Sequence, residues 1–492
     1  MKKSKIAIGV IAVLGAAWVG GTWFTGQTAE SEYKRQIELN NQKFRALGGS
    51  DSFNVEFKNK QFERGFFSSQ VEDEIVISLA KEEKQWIIPF SSTLYHGPLP
   101  LNQLIKFNFM PAMFAVEGTV GKNEMTQLLF DITKSDKPIQ YQAATSYALA
   151  TKGILKVLGG EFIDPKSAKN KLAWSDVDID FDVNKDLSGQ YDASVSNITF
   201  DLAGNAEAEN HTDSNNFESE KFHWKGIKFS TTFAPTKWSY LYTGKGTSSI
   251  DSIEMTSLDK NGTTMSVVEK GVKSTSEVNL EGDFLSLKAT NNIDALIIDN
   301  KDLGKIAYNI ELNHFEANAI NALFESLISV LKEGNTGGVN QIIEVWAKQY
   351  GMAIFNNQPQ IKLNPISISD NQGKVALDMN IALAKDPKLD VMHGHLYKQF
   401  TDFVVDIQVD KATAENLMTK FFPEEDKASI KAKIEEMAAE VVSKGIAVNN
   451  EKSVTMKLVL ENGELKLNGQ SVPEEQVVSV IFMLLMGAAM QH

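Results

Sequence analysis

The segment VDIDFDV at residues 177–183 alternates without a break: Val177, Ile179, Phe181 and Val183 are apolar, while Asp178, Asp180 and Asp182 are charged. A period of two is the repeat of an extended strand with one buried face, and a helix cannot present it as a stripe. The pattern returns in ASVSNITFDLAG, SEVNLEGDFLSLKA, KIAYNIELNHF and DFVVDIQVD. Turn signals punctuate it. ISISDNQGKVALDMNIAL breaks at Asn371, Gln372 and Gly373, and VTMKLVLENGELKLNG breaks at Asn462-Gly463, the dipeptide that suits a type I′ hairpin. FNVEFKNKQFERGFFSSQVEDEIVISL reads as a further antiparallel pair around a polar break that contains Gly65. This alternation predicts an α+β, β-dominated fold: a large curved antiparallel sheet with one covered face and one solvated face, and a few helices packed on its apolar face.

Helical patterns interrupt the strands. IELNHFEANAINALFESLISVLKEG and VDIQVDKATAENLMTKFFP each pass from strand to helix, and LKLNGQSVPEEQVVSVIFMLLMGAAM does so at the C-terminus. They form a loosely recurring strand-then-helix unit. The apolar run Val477 to Met490 is too short to span a bilayer. Apolar almost all round, it reads as a helix covering the sheet, completed by a second copy of the chain or by a membrane surface.

The N-terminus is organised differently. Lys2, Lys3 and Lys5 precede an apolar run from Ile6 to Phe24, with Trp18, Trp23 and Phe24 near its far end. About nineteen apolar residues match a hydrocarbon core of about 30 Å, and the aromatic residues suit a membrane interface. TGQTAES offers no A-x-A cleavage site, so the expectation is a retained anchor, with a cleaved signal peptide and a soluble periplasmic protein as runner-up. The lysines place the N-terminus in the cytoplasm and the bulk of the chain outside it. The expected organisation is a basic segment 1–5, a transmembrane anchor 6–25, a juxtamembrane helix 26–49 with Tyr33, Ile37 and Phe44 on one side, and a β-rich periplasmic region 50–492. The polar stretch 203–250 is a long loop or a point of subdivision.

Composition excludes much chemistry. The chain of 492 residues has no cysteine and a formal charge of −14. No thiol nucleophile, disulfide or cysteine-held metal is available. The charge opposes binding to a nucleic acid backbone. No HExxH, GxSxG, P-loop or strand-borne GxGxxG occurs, and no cofactor is expected. His393 and His395 in MHGHLY have the spacing of two metal ligands, but no carboxylate pattern completes a site. His314 reads as a cap or surface residue and His223 as a strand residue. The ladder Asp176, Asp178, Asp180, Asp182 lacks the glycine and glutamate of a calcium loop, since Phe181 and Leu187 fill those positions. It reads as the solvent face of one strand, with carboxylates about 7 Å apart.

Three short stretches remain: FERGFFSSQ, YHGPLPL and ENGELKLNG. Together with the lysine-led apolar run they resemble the YdgA-like family of Gram-negative envelope proteins, from one end of the chain to the other. The resemblance implies an inner-membrane or periplasmic protein without an established activity or cofactor. Arg64, Gly65, Ser68, Ser69, His96, Gly97 and Pro98 are then a family signature, expected to be structural. By its residues alone, His96 reads as architecture: Pro98 and Pro100 restrict the residues before them, and an imidazole can satisfy backbone groups at such a turn. The expected function is a non-enzymatic binding or scaffold protein of the cell envelope, with an envelope protein or a lipid-like ligand as partner. A structural homo-oligomer built on the C-terminal helix is the second reading. A serine hydrolase using Ser68 or Ser69 with His96 is the third.

Overall fold

The computed structural model describes residues 22, 26–35, 37–39, 41–42, 53–79, 85–165, 167–203, 217–333, 339–385 and 396–473. The apolar run expected as an anchor lies outside these residues apart from Thr22, as do the pair His393 and His395 and the run from Val477 to Met490. Among the described residues no helix is long and apolar enough to cross a membrane. The transmembrane helix of the expected fold therefore has no counterpart among them. The chain divides into two compact units, the first drawn mainly from residues 1–203 and the second mainly from 240–324 and 340–492.

The first unit is an up-and-down meander. Its strands are β1 (Phe53–Arg64), β2 (Ser68–Leu79), β3 (Gln85–His96), β4 (Phe114–Val120), β5 (Ile139–Thr145), β6 (Thr151–Val157), β7 (Gly160–Asp164), β8 (Ser167–Trp174), β9 (Val177–Val183) and β10 (Gly189–Ala203). Neighbours from β1 to β6 pair antiparallel in sequence order. β6 pairs with β9, β7 with β8, and β10 with both β9 and β8. The segments β6–β7 and β8–β9 are thus two long strands, each interrupted once. At the interruption the Gly159 N–H donates to the Asp176 carboxylate at 2.8 Å and the Trp174 Nε1–H to the Leu158 carbonyl at 3.0 Å, so the displaced backbone groups stay paired.

Period two decides the faces. Val71, Leu94, Phe114 and Val116 point to one side, where Ala29 and Tyr33 of the N-terminal helix α1 (helical residues 26–35 and 37–39) pack on them. Asn41 extends the contact: its amide donates to the Phe57 carbonyl at 2.8 Å and accepts from the Phe57 N–H at 2.7 Å, occupying β1 backbone groups as a neighbouring strand would. The other side is polar. Glu72 accepts from Ser91 at 2.8 Å, and Gln70 accepts from Thr93 at 3.1 Å. Asp176 and Asp182 of the acidic ladder pair with Lys156 and Lys152 at 2.8 and 2.7 Å, and among the described residues no group of His, Asp or Glu could hold a metal ion. Two short helices lie in the connections: α2 (Leu101–Ile105) between β3 and β4, and α3 (Gln127–Thr133) between β4 and β5. The polar stretch 203–250 carries strand β11 (Phe217–Pro235) and leads into the next strand, and the division into units begins at its edge, after Ala203.

The second unit is another antiparallel meander: β12 (Tyr242–Asp259), β13 (Thr264–Glu281), β14 (Phe284–Ile298), β15 (Lys301–Glu316), β16 (Gln360–Ser369), β17 (Lys374–Leu383), β18 (Phe400–Asp410), β19 (Val448–Asn449), β20 (Ser453–Glu461), β21 (Glu464–Leu467) and β22 (Gln470–Ser471). Helices α4 (Ala317–Glu333) and α5 (Val339–Asn356) follow β15; α6 (Lys411–Phe421) and α7 (Lys427–Ser443) follow β18. The strand-then-helix unit thus recurs as a strand followed by a helix pair. Apolar side chains align across strands: Ile310, Leu363, Met379, Val405 and Leu458 stand opposite one another in turn. Phe403, Val405, Met456, Leu458 and Leu465 form the buried cluster. The β20–β21 turn has Asn462 at φ 54° and Gly463 at φ 79°, the left-handed pair that a type I′ hairpin requires.

One carboxylate ties a hairpin of this unit to a helix. Asp370, at the β16–β17 turn, accepts from the Gln372 and Gly373 N–H groups at 2.9 and 3.2 Å, from Thr413 at 2.9 Å and from Asn416 at 2.6 Å. Burial pushes its carboxyl up, but these donors outweigh burial and hold it below the usual carboxylate range. Replacing Asp370 with Ala should lower the unfolding free energy by about 3 kcal/mol, since donors at the turn and on α6 lose a charged acceptor together. Chemical denaturation of the two proteins measures the difference.

Candidate functional site

The signature residues converge at one end of the first unit. The chain turns from β1 into β2 through Gly65, Phe66 and Phe67, closed by the Gly65 N–H donating to the Ser68 carbonyl at 2.9 Å. Pairing of β2 with β3 sets Ser68 opposite Tyr95 and Ser69 opposite Leu94, so His96 at the end of β3 reaches this turn. The His96 N–H donates to the Phe67 carbonyl at 2.9 Å.

Register brings the Ser69 hydroxyl and His96 Nε2 to 2.8 Å, and His96 Nδ1 to 3.1 Å from the Phe66 carbonyl. A carbonyl only accepts, so Nδ1 carries the proton and Nε2 accepts from the Ser69 hydroxyl. Both side chains are 1% exposed. Burial pushes the imidazole pKa down, its bond to the Phe66 carbonyl acts in the opposite direction, and the Arg64 charge lowers it further. Above the ring lies Gly26 of α1. A Cβ there would fall 2.5 Å from His96 Nδ1, so only glycine lets the helix approach so closely.

Beyond His96 the Gly97–Pro98 peptide is cis. The Gly97 N–H donates to the Met113 carbonyl at 2.8 Å and the Ala112 N–H to the Pro98 carbonyl at 2.9 Å, closing the neck of the loop 97–113. A Cβ on Gly97 would lie 1.9 Å from the Ala112 carbonyl oxygen, which makes glycine obligatory at the neck. The leucines and prolines of YHGPLPL frame this neck, and Pro100 is fully buried.

The arrangement contains half of the apparatus for acyl transfer. The serine and the imidazole meet in the tautomer that a base requires, but a backbone carbonyl stands where an orienting carboxylate would. Ser69 is 1% exposed, so its Oγ is closed off from solvent in this arrangement. Ser68 pairs along the strand, and exposed Arg64 closes the hairpin opposite Ser69. Among the described residues of the second unit, His223 lies 3.9 Å from Glu254, and His314 stacks on Phe284 with ring centroids 3.9 Å apart.

A cavity of about 220 Å³ lies under α1, lined by Tyr33, Ile37, Phe57, Asp73, Phe90 and Tyr141. It is smaller than the ~300–1,000 Å³ of ordinary ligand pockets. The Tyr33 hydroxyl donates to the Asp73 carboxylate inside it. Burial pushes both groups up, and the Tyr33 hydroxyl partly offsets this for the acid. In the second unit, cavities of about 430 and 580 Å³ are lined by polar and charged side chains such as Lys288, Glu311 and Lys362, or Asp410, Lys431 and Glu435. Such linings do not suit an acyl chain.

Sequence reasoning missed two parts of this end. The role of Gly26 could not be seen because its partner is far along the chain. The loop residues Ile105, Phe107, Phe109 and Met110, exposed at 71, 83, 65 and 74%, did carry a signal. No acidic residue occurs between Glu83 and Glu117.

A family model described as "Bacterial protein of unknown function (DUF945)" matches residues 1–475. An uncharacterised protein of Haemophilus influenzae is 37% identical over 351 residues, covering 71% of this chain and 92% of the relative. A second uncharacterised protein of that organism is 55% identical over 140 residues, 28% of this chain and 90% of the relative. The Escherichia coli protein YdgA is 25% identical over 515 residues, 98% of this chain and 97% of its own. No solved structure matches.

Replacing His96 with Ala should cost about 1–3 kcal/mol, because the Ser69 hydroxyl is left unpaired in a buried gap and the Phe66 carbonyl loses its donor. The imidazole also sets a pH dependence. Its folded pKa lies below the ordinary 6.5, so above that value both folded and unfolded chains hold it neutral and no penalty acts. As pH falls below 6.5 the unfolded chain takes up the proton first, and stability should decline by at most about 1.4 kcal/mol per pH unit. Thermal unfolding between pH 5 and 7.5 should show this decline in the wild type and a flatter profile in His96→Ala.

Proposed function

From the premise that this chain belongs to the bacterial family of unknown function DUF945, we propose that it is a non-enzymatic scaffold protein of the cell envelope, held to the inner membrane by its N-terminal apolar run with its bulk in the periplasm. The observation that carries the non-enzymatic reading is the sealed pair of Ser69 and His96. Each is 1% exposed, and the second imidazole nitrogen is spent on a backbone carbonyl. A pair in that state fastens a turn, a strand end and a helix, which is work for a joint. The anchoring reading is supported by Lys2, Lys3 and Lys5 ahead of an apolar run of bilayer length. It is supported too by the packing of Gly26 on His96, which ties the residues just after that run to the sheet.

Two measurements test this. A fluorophosphonate probe applied to the membrane-bound protein should leave Ser69 unlabelled. Labelling that disappears in Ser69→Ala would revive the hydrolase. N-terminal sequencing of the protein from the membrane fraction should find the lysine-led segment intact; a chain beginning near Glu30 would replace the anchored reading with that of a soluble periplasmic protein.

A further inference from the structure

The meander places its alternate connections at the same end. The β1–β2 turn, the β3–β4 loop and the β5–β6 turn therefore share the end at which Gly26 meets His96. These connections expose large apolar groups. Phe66 is 46% exposed, Ile105 71%, Phe107 83%, Phe109 65%, Met110 74% and Tyr147 52%. Scattered single apolar residues need no explanation, but a set gathered on adjoining tips of one sheet end does. The connections on the other end are charged: 80–84 reads AKEEK, and 121–137 carries lysines, aspartates and a glutamate around Met125 and Leu128, which are 44 and 54% exposed against 65–83% for the four loop residues.

Charge selects the same edge. In a chain of net charge −14, the stretch from Lys84 to Val116 has Lys106 as its one charged residue after Lys84, and the neighbouring turn is flanked by Arg64. The polar β9–β10 turn with Lys185 and Asp186, at the same end, marks the limit of the apolar edge along the sheet. Backbone geometry adds a third observation. Helix α2 closes with the Asn108 N–H donating to the Gln103 carbonyl at 2.9 Å, a C-terminal motif whose left-handed residue is usually glycine. Here it is Phe107, at φ 57°. A bulky residue in that conformation is strained, and its ring stands 83% exposed, without burial to offset the cost.

We propose that this edge, the 65–67 turn and the 101–110 loop, inserts its aromatic and aliphatic side chains into the interfacial region of a phospholipid bilayer. The occupant is lipid because the most apolar stretch near this edge in the chain is the run from Ile6 to Phe24, which ends two residues before Gly26. The inference rests on the anchored reading above: a sheet end tied to such a run lies beside the membrane that receives it. Aromatic groups and Met suit the boundary between headgroups and acyl chains; neither segment carries an acid of its own, and Glu117, which reaches the loop from β4, is paired there with Lys106 at 2.7 Å.

The chain has no cysteine, so single labels can be placed at will. Full-length Phe107→Cys and Phe109→Cys, each carrying an environment-sensitive nitrobenzoxadiazole label, are reconstituted into vesicles of phosphatidylethanolamine and phosphatidylglycerol. Glu124→Cys, at the opposite end, is the control. Labels at 107 and 109 should emit to the blue of the control, be quenched by doxyl-labelled lipid, and escape aqueous iodide; the control should respond to iodide alone. If the protein floats with the vesicles while labels at both 107 and 109 remain open to iodide, the edge stays in water and the inference fails with the anchor intact. Protection from both quenchers means that protein covers the edge, a second copy or a partner, and overturns the lipid assignment. A full-length chain that does not float with vesicles overturns the anchored reading and this inference together.

Discussion

Ser69 and His96 meet at 2.8 Å in a space closed to water, and much of the first unit is arranged around that contact. A neutral imidazole offers one donor and one acceptor on opposite sides, so it can join two elements that do not otherwise pair. Here the donor holds the β1–β2 turn through the Phe66 carbonyl, and the acceptor holds β2 through Ser69. The ring face receives Gly26, and the next residue begins the neck of the 97–113 loop. Turn, strand and helix share one side chain, and the loop neck begins at the next residue. Burial that lowers the imidazole pKa also keeps the ring in the neutral form that can make both bonds.

The elements themselves were legible in the sequence because they depend on local pattern. The alternation of Val177 to Val183 needs no partner to be read, and strand β9 has those bounds. Asn462-Gly463 forms the left-handed pair its chemistry requires. The acidic ladder faces solvent as the alternation implies, with Lys152 and Lys156 supplied by the neighbouring strand. The signature residues stood out as a set. What joined them was not legible, because the pairing of Ser69 with His96 follows from the register between β2 and β3, which no short motif encodes. The same holds for α1: its apolar residues were visible, but not that Ala29 would be wholly buried against Val71 and Leu94. Within 203–250 only the alternation around His223 signalled a strand, and the full extent of β11, Phe217–Pro235, was not legible in so polar a stretch.

The second unit shows the same economy of means without the histidine. Its strands add one after another, helix pairs follow β15 and β18, and Asp370 does for a hairpin and a helix what His96 does for a turn and a helix. In both places one polar side chain collects several donors or acceptors from elements distant in sequence. Each such group is individually modest, and its removal is costly because it strands several partners at once. Such joints add to the apolar packing that holds the helices, as Ala29 and Tyr33 do for α1.

Native-state hydrogen exchange on the wild type and on His96→Ala tests this view most directly. In the variant the amides of α1, the Gly97 N–H and the Ala112 N–H should lose protection together, while the ladder from β12 to β18 keeps its own. If α1 and the loop neck retain wild-type protection without the imidazole, His96 joins nothing.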